Sequence, residues 1–361
     1  MKNKIDVSII IPVYNSERYI AYIIEDLLNQ SYENFEIIVI NDGSTDNSQE
    51  ILAEFEKRDE RVKVVEVKNA GVSEARNLGI SLAKGDYIRF IDADDRINKD
   101  SVKNMVDIVK KDHEIDVVIG SFRTIPDMNY YYGEYATIGK QNLNQMAFDF
   151  LQNVRSFYYG VVWNKLYKRS IILNNHLKFD RRLIWCEDFV FNLQYYKCCE
   201  WFYFLPLNKN VYDYIQHETS ATKSVKKLSQ DKYAVINEIR KKEAEAFFEK
   251  VGMSELIKLE WKYSFLFGDL LIIASKKDIS TKQKYIKMKK ILMQPEMYEY
   301  VKHKADYFKK DTFYRFTFWV IQKKRYIFMY IYISIFAWFS ENMKWAKGIW
   351  KKLGGRRPKV L

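Results

Sequence analysis

The sequence predicts an α/β fold, a mostly parallel sheet flanked by helices, followed by a helical C-terminal region. Through the first 120 residues, short β-branched runs alternate with amphipathic stretches of helical length. That is the pattern of parallel strands joined by crossover helices. Several of the runs end in turns rich in Asn, Asp and Gly, where open α/β sheets place ligands. From Lys226 to about Asp311 the chain reads as helical and charged, with no Gly/Pro-rich linker setting it off.

Val7–Val13 is a β-branched run that stops at Tyr14-Asn15, and Ser16 can cap a helix. Ile20, Ile23, Ile24, Leu27 and Leu28 recur at helical spacing, so Ser16–Gln30 is expected as an amphipathic helix. Phe35–Ile40 is the second strand, closing in the polar turn Asn41–Asp46. After it come a helix to about Arg58, a strand Val62–Val67, a turn at Asn69-Ala70-Gly71 and a helix Val72–Ala83. Gly85-Asp86 introduces Tyr87–Ile91, a short run of β-formers read as a buried central strand. Lys99–Asp112 is the next helix and Asp116–Ile119 the next strand. Beyond Ser121 the alternation lapses. Tyr130–Tyr135 reads as aromatic loop or edge strand, Gln141–Val154 as helix, and Val161–Lys168 as strand-like. Trp185-Cys186-Glu187-Asp188 opens a helix to about Cys199, and strands are expected near Phe202–Leu205 and Asn210–Ile215.

A chain of 361 residues can bury a sizeable core. Its net charge of +12 suggests a polyanion binder until the charge is located. Residues 313–361 hold eleven Lys/Arg against the single acid Glu341, which leaves the first 312 residues at about +2. No general nucleic-acid surface is expected from that balance. Three cysteines, Cys186, Cys198 and Cys199, match no metal pattern and suit reduced thiols in the cytoplasm. No G-x-G-x-x-G follows the first strand, which argues against a dinucleotide fold. The early run Val7–Val13 is better read as a strand than as a signal peptide.

The central strand ends in Asp92, Asp94 and Asp95. Three carboxylates where a buried strand emerges repel one another unless a cation or hydrogen-bond donors offset them. Hard divalent ions take oxygen ligands, and Mg²⁺ commonly uses one or two carboxylates with phosphate oxygens. The cluster therefore reads as a metal–diphosphate site or, alternatively, as a polar turn before the next helix. Tyr14 offers an aromatic face for a base, and Asp42 an acceptor for the N–H of a uracil-type ring. The alternative is that Pro12 and Gly43 make turns and Asp42 caps a helix. Asn69-Ala70-Gly71 with Arg76 offers N–H groups and a guanidinium to a diphosphate, or forms an ordinary helix start.

Taken in order, IIIPVYN, EIIVINDGSTDNS and NAGVSEARNLGISLAKGDYIRFIDADD resemble the family 2 glycosyltransferases of GT-A fold, densely over residues 5–100. The likeness continues more thinly through WNKLYKR, WCEDFVFN and YDYIQHETSAT, and covers about 60% of the chain. It implies a Rossmann-like GT-A domain over residues 1–225. It also implies inverting transfer of a hexose or N-acetylhexosamine from a UDP-sugar, with Mn²⁺ or Mg²⁺, to a lipid-linked or polymeric surface glycan. By that resemblance Pro12, Tyr14, Asn15 and Asp42 hold the uridine. Asn69 and Arg76 lie near the ribose and diphosphate. Asp92, Ala93 and Asp94 form the DXD motif, with Asp94 and Asp92 facing the metal. Asp188 is the base that takes the acceptor proton, and Glu187 holds it or meets the acceptor. His217 stands where relatives carry a group near metal or diphosphate. Cys186 departs from the glycine that relatives often have, which puts the backbone before the base in doubt. Trp163, Asn164 and Lys165 suit either the floor of an acceptor pocket or the core.

The remainder divides into a helical region, 226–312, and a basic aromatic tail, 313–361. In the tail Tyr326–Phe339 is fourteen mostly apolar residues, short of the ~20 that span a bilayer. It sits between Lys323-Lys324-Arg325 and a Trp-rich basic end containing Lys344, Trp345, Lys347, Trp350, Lys351 and Lys352. That composition suits an interfacial anchor on the cytoplasmic face of the membrane, or a helix pair packed on the protein or a partner subunit.

Overall fold

A computed structural model describes residues 4–125, 131–132, 137–152, 157–209, 211–216, 230–263, 266–276, 278–307 and 312–342. The chain forms two compact units, Met1–Gly252 and Met253–Leu361. The boundary expected near Lys226 falls outside the described residues.

Among the described residues, the first unit is built on an eight-stranded sheet. Strands β1 (Val7–Val13), β2 (Phe35–Asp42), β3 (Val62–Val67) and β4 (Tyr87–Phe90) lie in the order β3-β2-β1-β4 and run parallel. Helices α1 (Ile20–Leu28), α2 (Ser48–Arg58) and α3 (Val72–Leu82) connect them, and α4 (Ser101–Lys111) follows β4. Every residue of β2 is buried, as are all of β1 except Pro12. Strands covered on both faces read as continuous apolar runs, which is why they were legible. Gly79 of α3 lies so close to β1 that a Cβ there would meet Ile10 Cγ2 at 2.3 Å. Helix α1 begins four residues later than expected. Ser16 donates its hydroxyl to the Tyr14 carbonyl, and the chain makes one tight turn before the helix starts.

Past β4 the sheet changes character. Strand β5 (Val117–Ile119) does not pair with β4. Between them lies β9 (Lys165–Lys168), antiparallel to both. The sheet ends with β10 (Trp201–Phe204), parallel to β5, and β8 (Gly139–Asn142), antiparallel to β10. The helix expected from Gln141 starts at Leu143, as α5 (Leu143–Gln152), because Gln141 pairs with Phe202 in the sheet. The strand expected over Val161–Lys168 is confined to its last four residues. The short helix α6 (Phe157–Gly160) and a turn precede it, and Trp163 and Asn164 pack inward. A second sheet joins β6 (Phe122–Ile125) to β7 (Tyr131–Tyr132) and β11 (Tyr212–Ile215).

Helices α7 (Arg169–Asn174), α8 (Glu187–Tyr196) and α9 (Gln230–Lys250) complete the unit. Glu243 of α9 takes hydrogen bonds from Gln194 and Lys197, and Ile236 packs with Leu183 and Val190, so α9 backs α8. All three cysteines are free thiols.

The second unit is helical: α10 (Ser254–Tyr263), α11 (Leu266–Ser275), α12 (Thr281–Leu292), α13 (Pro295–Tyr307), α14 (Thr312–Gln322) and α15 (Tyr326–Asn342). Its core gathers Leu266, Leu270, Met288, Met297, Val301, Val320, Met329 and Ile333. A capping box between Ser280 and Gln283 starts α12, and a buried Lys304–Glu260 pair at 2.7 Å ties α13 to α10. No helix among the described residues is long and apolar enough to cross a membrane.

Candidate active site

The carboxyl ends of β1, β2 and β4 carry most of the candidate site residues. On the β1–β2 side, Asn15 adopts φ 49° and its side-chain oxygen accepts from the Thr45 amide at 2.8 Å. Its own amide donates to Ser44 Oγ at 3.0 Å, so Asn15 pins the loop after β2. Asp42 is buried, with Oδ1 accepting from the Ala70 amide at 2.7 Å and Oδ2 from the Gly71 amide at 2.8 Å. Each oxygen keeps a further lone pair for a ligand. Gly43, at φ 69°, is required by the same packing, since a Cβ there would stand 2.7 Å from the Asn69 amide nitrogen. Tyr14 is 53% exposed, its ring open to a stacking partner, and Asn69 is also exposed. A depression of about 490 Å³ opens beside them, lined by Asp42, Lys68, Ala70, Glu74, Ala75 and Arg181.

The β4 side is knit by Arg76, which α3 holds in a buried position. One terminal nitrogen donates to Asp92 Oδ1 at 3.0 Å and the other to Glu187 Oε1 at 2.8 Å. Its guanidinium also lies 5.3 Å from the centre of the Phe179 ring. Burial alone would lower its pKa, but Asp92, Glu187 and Asp188 outweigh that and raise it. Asp92 and Glu187, 95 positions apart, thus meet at one cation. The approach of α8 is set by Asn77, which donates to the Phe179 carbonyl at 2.9 Å and accepts from its amide at 2.8 Å. Phe179 then stacks on Phe191 of α8 at 4.1 Å and meets Phe90 of β4 edge-on at 5.2 Å.

At the start of α8 Cys186 takes φ 62°, the left-handed conformation that suits glycine. The left-handed turn before Glu187 and Asp188 is therefore present, held by a cysteine. Burial pushes the Cys186 thiol up to about 12, which keeps it from acting as a nucleophile. Protein atoms crowd Asp188 while part of its surface stays open. Burial, then the charge of Glu187, raise its carboxyl to about 7, against the pull of Arg76.

The acidic turn has a buttress that sequence reasoning missed. Tyr212 of β11 donates its hydroxyl to Asp95 Oδ2 at 2.7 Å and accepts from the Asp92 amide at 3.1 Å. The Ile215 amide donates to Asp95 Oδ1 at 2.7 Å. Asp95 is buried, and burial followed by the charges of Asp94 and Asp92 raises its pKa well above the usual carboxylate range. Trp163 stacks on Tyr212 at 4.3 Å and on Tyr214 at 5.7 Å. Arg96, just after the turn, exchanges backbone hydrogen bonds with Asp213. Beneath lies Arg89, fully buried in β4, donating to Ser101 Oγ and the Val211 carbonyl, its pKa lowered to about 10 by burial. The only sequence signal for this buttress was the YDYI segment itself.

Other expectations resolve less directly. Asn164 and Lys165 are core residues. Lys165 donates to the carbonyls of Tyr158 and Val161 and to Asn164 Oδ1, and burial pushes its pKa well below that of an ordinary lysine. Pro12 and Ala93 lie in and beside the rim, Pro12 half-buried and Ala93 buried. His217 lies outside the described residues. Among the described residues no three His, Cys, Asp or Glu side chains converge as a complete metal set. Asp92 and Asp94, both half-buried at the rim, supply the hard oxygen donors that suit a divalent ion bound with a diphosphate.

Comparison with known proteins agrees with this geometry. Residues 8–173 match the family described as glycosyl transferase family 2. The chain is 35% identical over 220 residues to glycosyltransferase GlyA of Streptococcus pneumoniae, covering 58% of this chain and 30% of GlyA. It is 31% identical over 229 residues to the uncharacterized glycosyltransferase EpsJ of Bacillus subtilis, covering 63% of this chain and 66% of EpsJ. The matched stretch is thus less than two thirds of either relative. The structure of Staphylococcus aureus TarS residues 1–349 in complex with UDP shares the fold, with a TM-score of 0.58 at 20% identity, over 78% of this chain and 77% of that 1–349 chain. The GT-A-like sheet order, the order of motifs around β1, β2 and β4, and the family match agree over one region: residues 8–173 of this chain are similar to glycosyl transferase family 2.

Proposed function

We propose that this chain is an inverting, metal-dependent glycosyltransferase. It moves a hexose or N-acetylhexosamine from a UDP-sugar to a hydroxyl of a lipid-linked or polymeric surface glycan. The observation that carries the reading is the Arg76 bridge. It sets a strand-end carboxylate, suited to a metal–diphosphate, within one guanidinium of an acidic pair whose second member has a pKa of about 7. The UDP bound to TarS, a structural neighbour, supports the nucleotide.

In this mechanism Tyr14 and Asp42 receive the base, and the rim at Asn15 and Asn69 frames the ribose. Asp92 and Asp94 would hold Mn²⁺ or Mg²⁺, which supplies charge to stabilise the leaving diphosphate. Arg76 holds Asp92 and Glu187 in place through its two terminal nitrogens. Asp188 accepts the proton of the acceptor hydroxyl as that oxygen bonds to the anomeric carbon and the carbon–oxygen bond to the diphosphate breaks. A group with a pKa near the working pH is suited to that transfer.

The test is calorimetric titration with a panel of UDP-sugars, with Mn²⁺ and with chelator, on the wild type and on Asp188→Asn. Metal-dependent binding of one UDP-sugar is expected in both proteins. Transfer is expected to fall about 10²- to 10⁴-fold in the variant alone. Wild-type turnover by Asp188→Asn would remove Asp188 as the base, and no nucleotide binding in either protein would remove the catalytic reading.

A further inference from the structure

The helix α15 is apolar around its whole circumference, and only half of that surface is used. Met329, Ile333 and Ala337 face the core of the second unit. On the other side Ile327, Ile331, Ile335 and Trp338 recur every three or four residues, exposed by 46%, 46%, 52% and 57%. Phe328 (41% exposed) adjoins them, and its ring lies 5.8 Å from that of Trp319 (41%) on α14, so the patch runs across two helices. Six large apolar side chains in one contiguous exposed surface mark an interaction site. The turn between the helices presents Lys323, Lys324 and Arg325, all exposed. Lys324 sits at φ 54°, and the Arg325 amide closes the turn on the Val320 carbonyl. Glycine would be the easier residue at that angle, yet the sequence places a cation there.

We propose that the exposed face of α14 and α15 docks on an anionic lipid surface, the helices lying in the interface with Trp319 and Trp338 among the headgroups and the cationic turn against lipid phosphates. Charge selects this occupant. Residues 343–361 carry seven Lys/Arg and no acid, so folding them over the patch would set like charges against the cationic turn. An anionic surface attracts both. Seventeen residues apolar on one exposed side suit a helix that lies in an interface rather than one that crosses it. The proposal does not depend on the catalytic assignment.

Flotation of the full-length protein with vesicles of phosphatidylglycerol and phosphatidylcholine, against phosphatidylcholine alone, tests it. Binding is expected only with the anionic lipid and is expected to weaken as salt rises. Lys324→Gly removes one cation while relieving the backbone, so its fold is safeguarded, and binding is expected to drop about fivefold. Ile331→Ser with Ile335→Ser is expected to abolish binding, with an unchanged thermal midpoint confirming an intact bundle. Anionic vesicles bound equally by wild type and both variants, or by none of the three, would overturn the proposal. So would an oligomer in sedimentation that the double serine variant dissociates, because the face would then be covered by a second copy.

Discussion

At the scale of single residues, the site depends on how few cations serve many carboxylates. Arg76 holds Asp92 and Glu187 and pulls on Asp188, which burial nonetheless raises to about 7. A base must be ionised to accept a proton. Transfer is therefore expected to rise with pH along a single-proton curve with a midpoint near 7, read from the pH dependence of kcat/KM. Because Asp188 and Glu187 interact, that midpoint belongs to the pair. A flat profile between pH 5 and 9 would exclude the pair from proton transfer. The same shift acts on stability with a definite sign. Above the ordinary aspartate pKa of about 4 the unfolded chain releases the proton that folded Asp188 still holds. Its contribution to stability consequently declines as pH rises from about 4 to 7. Of these features, the residue types at Asp92, Glu187 and Asp188 were legible in the sequence. The pKa of Asp188 was not, because burial and the positions of neighbouring charges set it.

At the scale of elements, the acidic turn is supported from a strand more than a hundred residues away. Tyr212 of β11 bonds both the Asp92 amide and the Asp95 carboxyl, and Trp163 packs on its ring. Tyr212→Phe keeps the ring and removes both bonds, leaving buried polar groups unpaired at about 1–3 kcal/mol. The expected outcome is weaker metal-dependent UDP-sugar binding, seen as a raised KM, with the pH midpoint of transfer still near 7. A moved midpoint with unchanged binding would instead assign Tyr212 to the Glu187–Asp188 pair. The sequence showed β4 as an apolar strand and the acids at its end. It did not show that β9 enters antiparallel beside β4, since a four-residue strand has too few positions to display its pairing. Nor did it show Arg89 buried within β4, an exception to the apolar pattern that only the carbonyl and hydroxyl around it make tolerable.

At the scale of the whole molecule, the two units have different chemistry. Ligand binding to the folded first unit stabilises it by mass action, about 2.7 kcal/mol at a hundredfold excess over Kd. UDP with Mn²⁺ is therefore expected to raise the thermal midpoint in a melting experiment, and chelator is expected to abolish the rise. A midpoint indifferent to both additions would argue against the metal–diphosphate role of Asp92 and Asp94. The second unit owes its fold to a helical core in which α15 takes part with one face only. Its composition pointed to an interface-seeking tail. Which of its apolar residues are spent on the core and which remain exposed could be read only from packing.

The sequence by itself determined the alternation of β1 through α4, the Asn- and Asp-rich strand ends and the Glu-Asp pair. Those are local: period, turn chemistry and residue type are written along the chain. Tertiary structure alone decided that Arg76 joins Asp92 to Glu187, that Tyr212 carries the acidic turn, and that Cys186 adopts a glycine-like angle to start α8. It also decided that Lys165 is buried among carbonyls while Ile331 and Trp338 are left exposed. Each of these depends on which distant segment supplies the partner, and a partner's position is fixed only when the sheet has closed around it.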